Sequence, residues 1–289
     1  MLCGISKQSH LKAVKEEQEQ LAKIPLYLNL IYEARELHPV MGLRAIYDMY
    51  QPEGIGRDAF IFWGKNEGLQ LEQRQSPTRT TFSVKSNRYR NLLEDKWFTD
   101  VNQVWTSDIT YFRVGEKYYY ITFIIDVYSR RIIGYHVADN MRAENNIYAL
   151  LMALNLRGIE HYGNRLIHHS DKGGQYVSND YTNLLDSKGI AISMCNEVYE
   201  NAHIERVNGI IKNYYLIHYG IKTENQLING VEKAVFIYNH HRPHSALNKM
   251  PPVDFEVQLT TIPKDNRVKI QVFTIKQNVP NYAQLQLDI

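Results

Sequence analysis

At Val104 the sequence switches to a two-residue period, and that switch constrains the fold more than any other feature. VWTSDITYFRV alternates over Val104 to Val114; KYYYITFIIDV follows, then RRIIGYHVAD. β-Branched and aromatic residues at period two, broken at Gly115-Glu116 and Tyr128-Ser129, predict three strands in an antiparallel meander. Helices and strands then alternate. Ala143 to Leu156 predicts a helix, LIHHS a short buried strand, Asn179 to Ser187 a helix closed by Gly189, and IAISM another strand. Asn201 to Tyr214 and Glu224 to His240 predict two further helices. This order specifies an α/β sandwich around a mixed sheet. Leu259 to Ile289 reads as strand-like and polar.

The upstream third has a helical period instead. Residues 9 to 36 predict a helix with Leu21, Leu26, Leu28 and Ile31 toward the core, kinked or divided at Pro25. Leu43 to Tyr50 predicts a short helix, Gly54 and Gly56 a turn, and Arg57 to Gly68 a second helix. Helix, glycine turn and helix have the shape of a helix-turn-helix, a signature shared with any small helical hairpin. Phe60, Ile61 and Trp63 face inward in this reading; Arg57, Asp58, Lys65 and Asn66 face out. QRQSPTRTTFSVKSNRYRNL then carries Arg74, Arg79, Lys85, Arg88 and Arg90 and no acid. Such a segment is either a solvated linker or a follower of a phosphate backbone. The chain accordingly divides into a helical region (1–72), a basic linker (73–98), an α/β core (99–258) and an extension (259–289).

Net charge is only +2, so the sum does not demand a nucleic-acid partner; the clustering of the basic residues says more. No apolar run is long enough for a membrane span. MLCGISKQSHLKAVKEEQEQ has no signal-peptide core, and Cys3 and Cys195 provide no disulfide framework or zinc pattern. A cytoplasmic protein is expected.

Three acids stand out. Asp108 lies inside the first strand, where Asp is a poor former, on a face with Val104, Thr106, Thr110 and Phe112. Asp171 follows the strand LIHHS in HSDKGGQY; ligands of open α/β sheets gather at such strand ends. Glu205 lies on the helix NAHIERVNGIIKNYY, in a polar stripe with Asn201, Asn208 and Lys212, opposite Val207, Ile210, Ile211 and Tyr214. Each alone also reads as an edge acid, a turn acid or a solvated helix face. As an ordered set they supply hard oxygen ligands suited to Mg²⁺, with Mn²⁺ as substitute. Two such ions clamp an in-line phosphoryl displacement. His168 and His169 are neighbours on a strand, point to opposite faces and do not jointly hold one ion. Asp126 reads as a structural turn acid, Trp105 as core, Cys195 as a small buried residue. Arg242, Pro243 and His244 read equally as a polar cap or a DNA contact.

WTSDITY, DVYSRRIIGYHV, HHSDKGGQYVS, ENAHIERVNGIIK and YNHHRPHSAL resemble, in order, the blocks of OrfB-type insertion-sequence transposases of the IS-three group. The resemblance runs from about Trp105 to Phe255. HPVMGLRAIYDMY with GIGRDAF and NEGL resembles their upstream helix-turn-helix, and GISKQSHLK their opening block. The resemblance implies an RNase-H-like mixed sheet with flanking helices, preceded by a small all-α helix-turn-helix region, with 99–258 an integrase-like catalytic core. It implies Asp108, Asp171 and Glu205 as the metal-binding catalytic triad, two Mg²⁺ ions, and Lys212 as a contact to terminal DNA. Double-stranded DNA is the implied partner. A homo-oligomer is expected because two element ends must be joined, and a companion product of an upstream reading frame is a further implied partner. Arg57, Lys65, Arg79, Lys85, Arg88 and Arg90 are the other DNA-binding candidates. The spacer between Asp171 and Glu205 is slightly shorter than the family's and lacks its glycines, which leaves Glu197 and Glu200 as rivals for the third ligand. The implied activity is strand cleavage at element ends followed by strand transfer. A regulator with an inactive core and a purely hydrolytic nuclease are the alternatives.

Overall fold

The structure, a computed structural model, describes residues 7–71, 89–195 and 201–272. In chain order its helices and strands are α1 (Lys7–Leu37), α2 (Leu43–Tyr50), α3 (Arg57–Asn66), β1 (Trp97–Phe98), β2 (Val104–Val114), β3 (Lys117–Asp126), β4 (Ile132–Ala138), α4 (Ala143–Arg157), β5 (Ile167–Ser170), α5 (Asn179–Ser187), β6 (Ala191–Met194), α6 (Ala202–Ile210), α7 (Glu224–His240), α8 (Pro252–Leu259) and β7 (Ile270–Gln271). These residues group into two compact units. One holds 7–71 and 209–252; the other holds 89–195, 201–208 and 253–272.

The second unit is built on a five-stranded sheet of order β4-β3-β2-β5-β6. The expected meander forms: β2 pairs antiparallel with β3, and β3 with β4. Gly115 takes a left-handed φ of 60° in the tight turn between β2 and β3. β5 and β6 then add parallel to β2. Parallel pairing requires a crossover; α4 provides it before β5, and α5 before β6. Trp105, Ile124 and Ile133 of the sheet bury against Ala149, Leu150, Ala153 and Leu154 of α4 and against Tyr181 and Leu185 of α5. Each such large side chain contributes about 1.5–3 kcal/mol by leaving water. Gly134 permits the close approach of α4, because a Cβ there would run into the Ala149 carbonyl oxygen.

Asp126 closes β3 as the turn acid expected of it. It is fully buried and accepts from the amides of Asn102 (2.7 Å) and Tyr128 (3.0 Å). Arg157 bridges it, at 3.2 Å, to Glu256 of α8, at 2.7 Å. Arg131 adds a second ion pair to Glu256 at 2.6 Å. Burial pushes Asp126 up to about 6 despite Arg157, whereas the guanidinium of Arg157 holds Glu256 below its ordinary value against its own burial. Beyond α8 the strand-like expectation for 259 onward is only partly met. A 3₁₀ turn spans Lys264–Asn266, and the only strand among the described residues there is two-residue β7, antiparallel to β1. Arg267 anchors this stretch by an ion pair to Asp100 and a bond to the Leu259 carbonyl (2.7 Å).

In the first unit α1 runs unbroken through Pro25, so the proline does not divide it. Its core side carries Tyr27, Ile31 and Ala34, packed with Met41, Leu43, Ile46 and Phe60. Leu26, expected inside, is exposed: Tyr27 takes the inward position, its ring edge-on to Phe60 and Trp63. α2, the turn at Gly54 and α3 follow as expected, and Gly68 (φ 71°) terminates the second helix. The helix expected from Asn201 to Tyr214 is α-helical only to Ile210. A π-helical turn, Ile211–Tyr215, continues it. A π turn inserts an extra residue into the helical period. Within this turn Ile211 and Tyr215 are buried, and Tyr214, expected on the apolar side, is exposed. Tyr215 is held by a 2.9 Å hydrogen bond to Nδ1 of the buried His38. Thr223 caps α7 by accepting from the amide of Gln226 (3.2 Å).

Candidate active site

The register of two parallel strands sets the geometry of the acids. Ser107 of β2 lies opposite Ser170 of β5. Asp108 is the next residue of β2 and Asp171 the first residue past β5, so the register brings the two acids to the same end of the paired strands. Asp108 is half-buried within the sheet; Asp171 stands just past the end of β5 and is exposed. Gly173 donates its amide to Oδ1 of Asp171 (3.0 Å), and a Cβ at Gly173 would press on that same oxygen.

Helix α6 brings the third acid. Glu205 is half-buried in its first turn. The helix docks onto β2 through two asparagines of the polar stripe. Asn208 donates from Nδ2 to Oδ2 of Asp108 (2.7 Å), and Asn201 donates to the carbonyl of Ser107 (3.2 Å). Both asparagines are buried, and each keeps a buried Oδ1 with no protein partner among the described residues. Sequence reasoning placed them on the stripe and gave them no role. The signal was present: they stand four before and three after Glu205, on its face of the helix.

The electrostatics follow from this crowding. Burial, then the charges of Asp171 and Glu205, push Asp108 from an ordinary 3.8 to about 7, against the amide of Ile109 and the Asn208 bond. Surrounding protein likewise raises Asp171, although its side chain reaches solvent; the Gly173 amide opposes the shift. The nearby nitrogen and sulfur groups are engaged elsewhere. His168 meets the Tyr181 hydroxyl (2.9 Å); His169 meets Ser193 (2.8 Å) and the Cys195 thiol (3.3 Å). Burial lowers the two histidines to about 3 and about 4, so both are neutral. The donors left at the acids are oxygens, the class that suits a hard divalent cation. Among the described residues no three His, Cys, Asp or Glu side chains are close enough to hold a metal ion as they stand.

The described basic candidates fall on separate elements. Arg57 and Lys65 are exposed on α3, Arg57 in a surface pair with Asp58 (2.9 Å). Between them Phe62 is 66% exposed, an outward aromatic that the sequence reading did not single out. Lys212 is half-buried in the π-helical turn of the first unit, and Arg90 is exposed in the second. Arg79, Lys85 and Arg88, and the rival acids Glu197 and Glu200, lie outside the described residues. Among the described residues no helix is long and apolar enough to cross a membrane.

Two families described as integrase core domain match the sequence, at residues 99–198 and 190–252. The insertion element IS600 uncharacterized 31 kDa protein of Shigella sonnei is 30% identical over 261 residues, covering 87% of this chain and 95% of that one. The transposase for insertion sequence element IS629 of Shigella sonnei is 30% identical, with coverages of 76% and 75%. The transposase InsF for insertion sequence IS3A of Escherichia coli (strain K12) is 34% identical, with coverages of 57% and 58%.

Proposed function

The chain belongs to the insertion-sequence transposases of the IS-three group, with an integrase-like core, and from that premise we propose that Asp108, Asp171 and Glu205 are its catalytic, metal-binding triad. Its reaction is DNA transposition by two displacements at phosphorus. Hydrolysis at an element end frees a 3′-hydroxyl, and that hydroxyl then attacks a phosphodiester of the target. The observation that supports the triad is the strand register, which sets Asp108 beside Asp171 while Asn208, on the helix of Glu205, grips Asp108.

The activity depends on divalent metal; the finer reading is two Mg²⁺ ions, with Mn²⁺ as substitute. When bound, they supply Lewis acidity at the attacking and leaving oxygens. Protein groups do the rest. Asn208 fixes Oδ2 of Asp108, and the Gly173 amide fixes Oδ1 of Asp171, so neither carboxylate must be ordered when substrate arrives. Burial and the charges of Asp171 and Glu205 raise Asp108, a repulsion that a cation held by the three acids would relieve. Lys212, Arg57, Lys65, Arg79, Lys85, Arg88 and Arg90 contact DNA in this reading, mainly at phosphates. The protein works in the cytoplasm as a homo-oligomer on double-stranded DNA, with a product of an upstream reading frame as a further partner.

The test is incubation of the chain with labelled duplexes carrying the ends of its own element, plus Mg²⁺, scoring nicked and joined strands. Wild type yields both. Asp108→Asn, Asp171→Asn and Glu205→Gln each yield neither while still binding the duplex. Cleavage by any of the three removes that residue from the triad, and nicking without joining reduces the protein to a nuclease.

A further inference from the structure

In the first unit, four partly or fully exposed rings gather around one guanidinium along the junction of the π-helical turn and the end of α7. Tyr214 is exposed, and the guanidinium of Arg242 lies 5.0 Å from its ring centroid. His241 follows next to Arg242 in the chain, with its ring 5.6 Å from that of Phe236. Phe236 is 53% exposed and stacks on His240 at 4.4 Å, with only 24° between the ring planes.

The row is built rather than incidental. The amides of His241 and Arg242 both bond to the Ile237 carbonyl, at 2.9 and 3.0 Å, which fixes them to the end of α7. His240 Nδ1 bonds to the Phe236 carbonyl (3.0 Å). The side chain of Arg242 hydrogen-bonds to Tyr215, a fully buried residue gripped in turn by His38. His38 is neutral, its pKa lowered to about 3 by burial and then by Arg242 and His241. Since Arg242 can only donate, the Tyr215 oxygen accepts from it while the Tyr215 hydroxyl donates a hydrogen bond to Nδ1 of neutral His38. Arg242 is therefore locked over Tyr214 before any ligand arrives. The exposed acid Glu232, one turn before Phe236, bounds the row at one end.

Exposed aromatic faces beside a fixed guanidinium are the chemistry that binds unpaired nucleic acid. Every base has a π face, and its phosphate meets the neighbouring cation. Ile217 and Ile228 are also exposed on or beside these elements, so a protein surface is the competing occupant and an outcome of the test. We propose that Tyr214, Phe236, His240, His241 and Arg242 form a track for single-stranded DNA, in which bases stack on the rings and Arg242 takes a phosphate. The inference rests on the transposase reading, because strand cleavage and joining at a duplex end are what would present unpaired nucleotides.

The test uses the full chain and two fluorescent probes, a blunt duplex and the same duplex with a six-nucleotide single-stranded extension containing 2-aminopurine. Wild type should bind the extended duplex about tenfold more tightly and quench its 2-aminopurine. Tyr214→Ala and Phe236→Ala should each abolish the preference and the quenching, whereas Tyr214→Phe should keep both. Circular dichroism and the Tyr214→Phe variant separate stacking from misfolding. A wild type with no preference, or alanine variants that retain it, overturns the track. So does a Phe236→Ala variant that changes only the sedimentation of the protein, since the face is then an interface between copies. Cleavage of element ends, scored in parallel, keeps the two readings apart. Cleavage with no stacking removes the track alone; stacking with no cleavage supports the track and counts against the proposed triad.

Discussion

Replacing Asp108 by Asn removes a charge that the fold accommodates poorly, and the change in stability can be worked from the structure. Burial, Asp171 and Glu205 raise the carboxyl from 3.8 to about 7. At 1.36 kcal/mol per pH unit that gap corresponds to roughly 4 kcal/mol, which solvent screening of a half-buried group reduces to about 2–3 kcal/mol. A raised carboxyl makes its full contribution below its unfolded pKa and loses it as pH rises through the folded one. Below about pH 3.8 both states hold the proton, so the substitution should matter little. Between that point and about pH 7 the unfolded chain releases its proton first, and wild type loses ground to Asp108→Asn. Above pH 7 the variant should be more stable by the whole 2–3 kcal/mol, because the new amide oxygen still accepts from Asn208. Denaturant unfolding of both proteins without metal, from pH 4 to 8.5, measures the difference. A gap independent of pH, or a variant less stable than wild type at pH 8, would refute the reasoning. Mg²⁺ should narrow the gap at pH 8 by stabilising wild type alone.

The remaining expectations concern other contacts. Asn208→Ala removes a hydrogen bond to a charged acceptor, worth about 1.5–3 kcal/mol, so cleavage should slow by about 10–100-fold with duplex binding unchanged; equal loss of both would show a merely structural role. Gly134→Ala forces α4 away from the sheet and should destabilise by about 1–3 kcal/mol or more, read in a urea midpoint; an unchanged midpoint would contradict the close packing. Glu256→Gln leaves Arg157 and Arg131 poorly matched and should cost about 3 kcal/mol at pH 7. Because the Glu256 pKa is lowered, that stabilisation is present above about pH 4.5 and fades as pH falls through the folded value. Wild type and Glu256→Gln should therefore converge in acid, and a constant difference would dismiss the ion pairs as its source.

The strands and most helices were legible because period and punctuation are local. Val104 to Ala138 shows period two, Asn179 to Ser187 ends at a glycine, and both appear where expected. The misses have non-local causes. Tyr27 is buried in place of Leu26 because its ring is needed edge-on against Phe60 and Trp63 of a later helix, which no window around residue 27 contains. The π-helical turn holds Tyr215 against His38, a residue 177 positions away. β7 is two residues long, too short to carry a pattern. Asp126 was readable as a turn acid, but its ion-pair network reaches Glu256 in α8. At the candidate site the polar stripe of α6 was visible as a stripe. That its asparagines bond to β2 depends on which face of the helix meets the sheet.

The pairing of β2 with β5 also orders events in time. Asp108 and Asp171 become neighbours only after roughly sixty residues of intervening chain have been made and folded, and parallel pairings of that span form slowly. Glu205 and Asn208 emerge from the ribosome later still. A nascent chain halted between residues 138 and 201 has the whole meander, yet it lacks Glu205 and the Asn208 amide that bonds to Asp108. On the proposed triad, competence to cut DNA is thus among the last properties that synthesis confers.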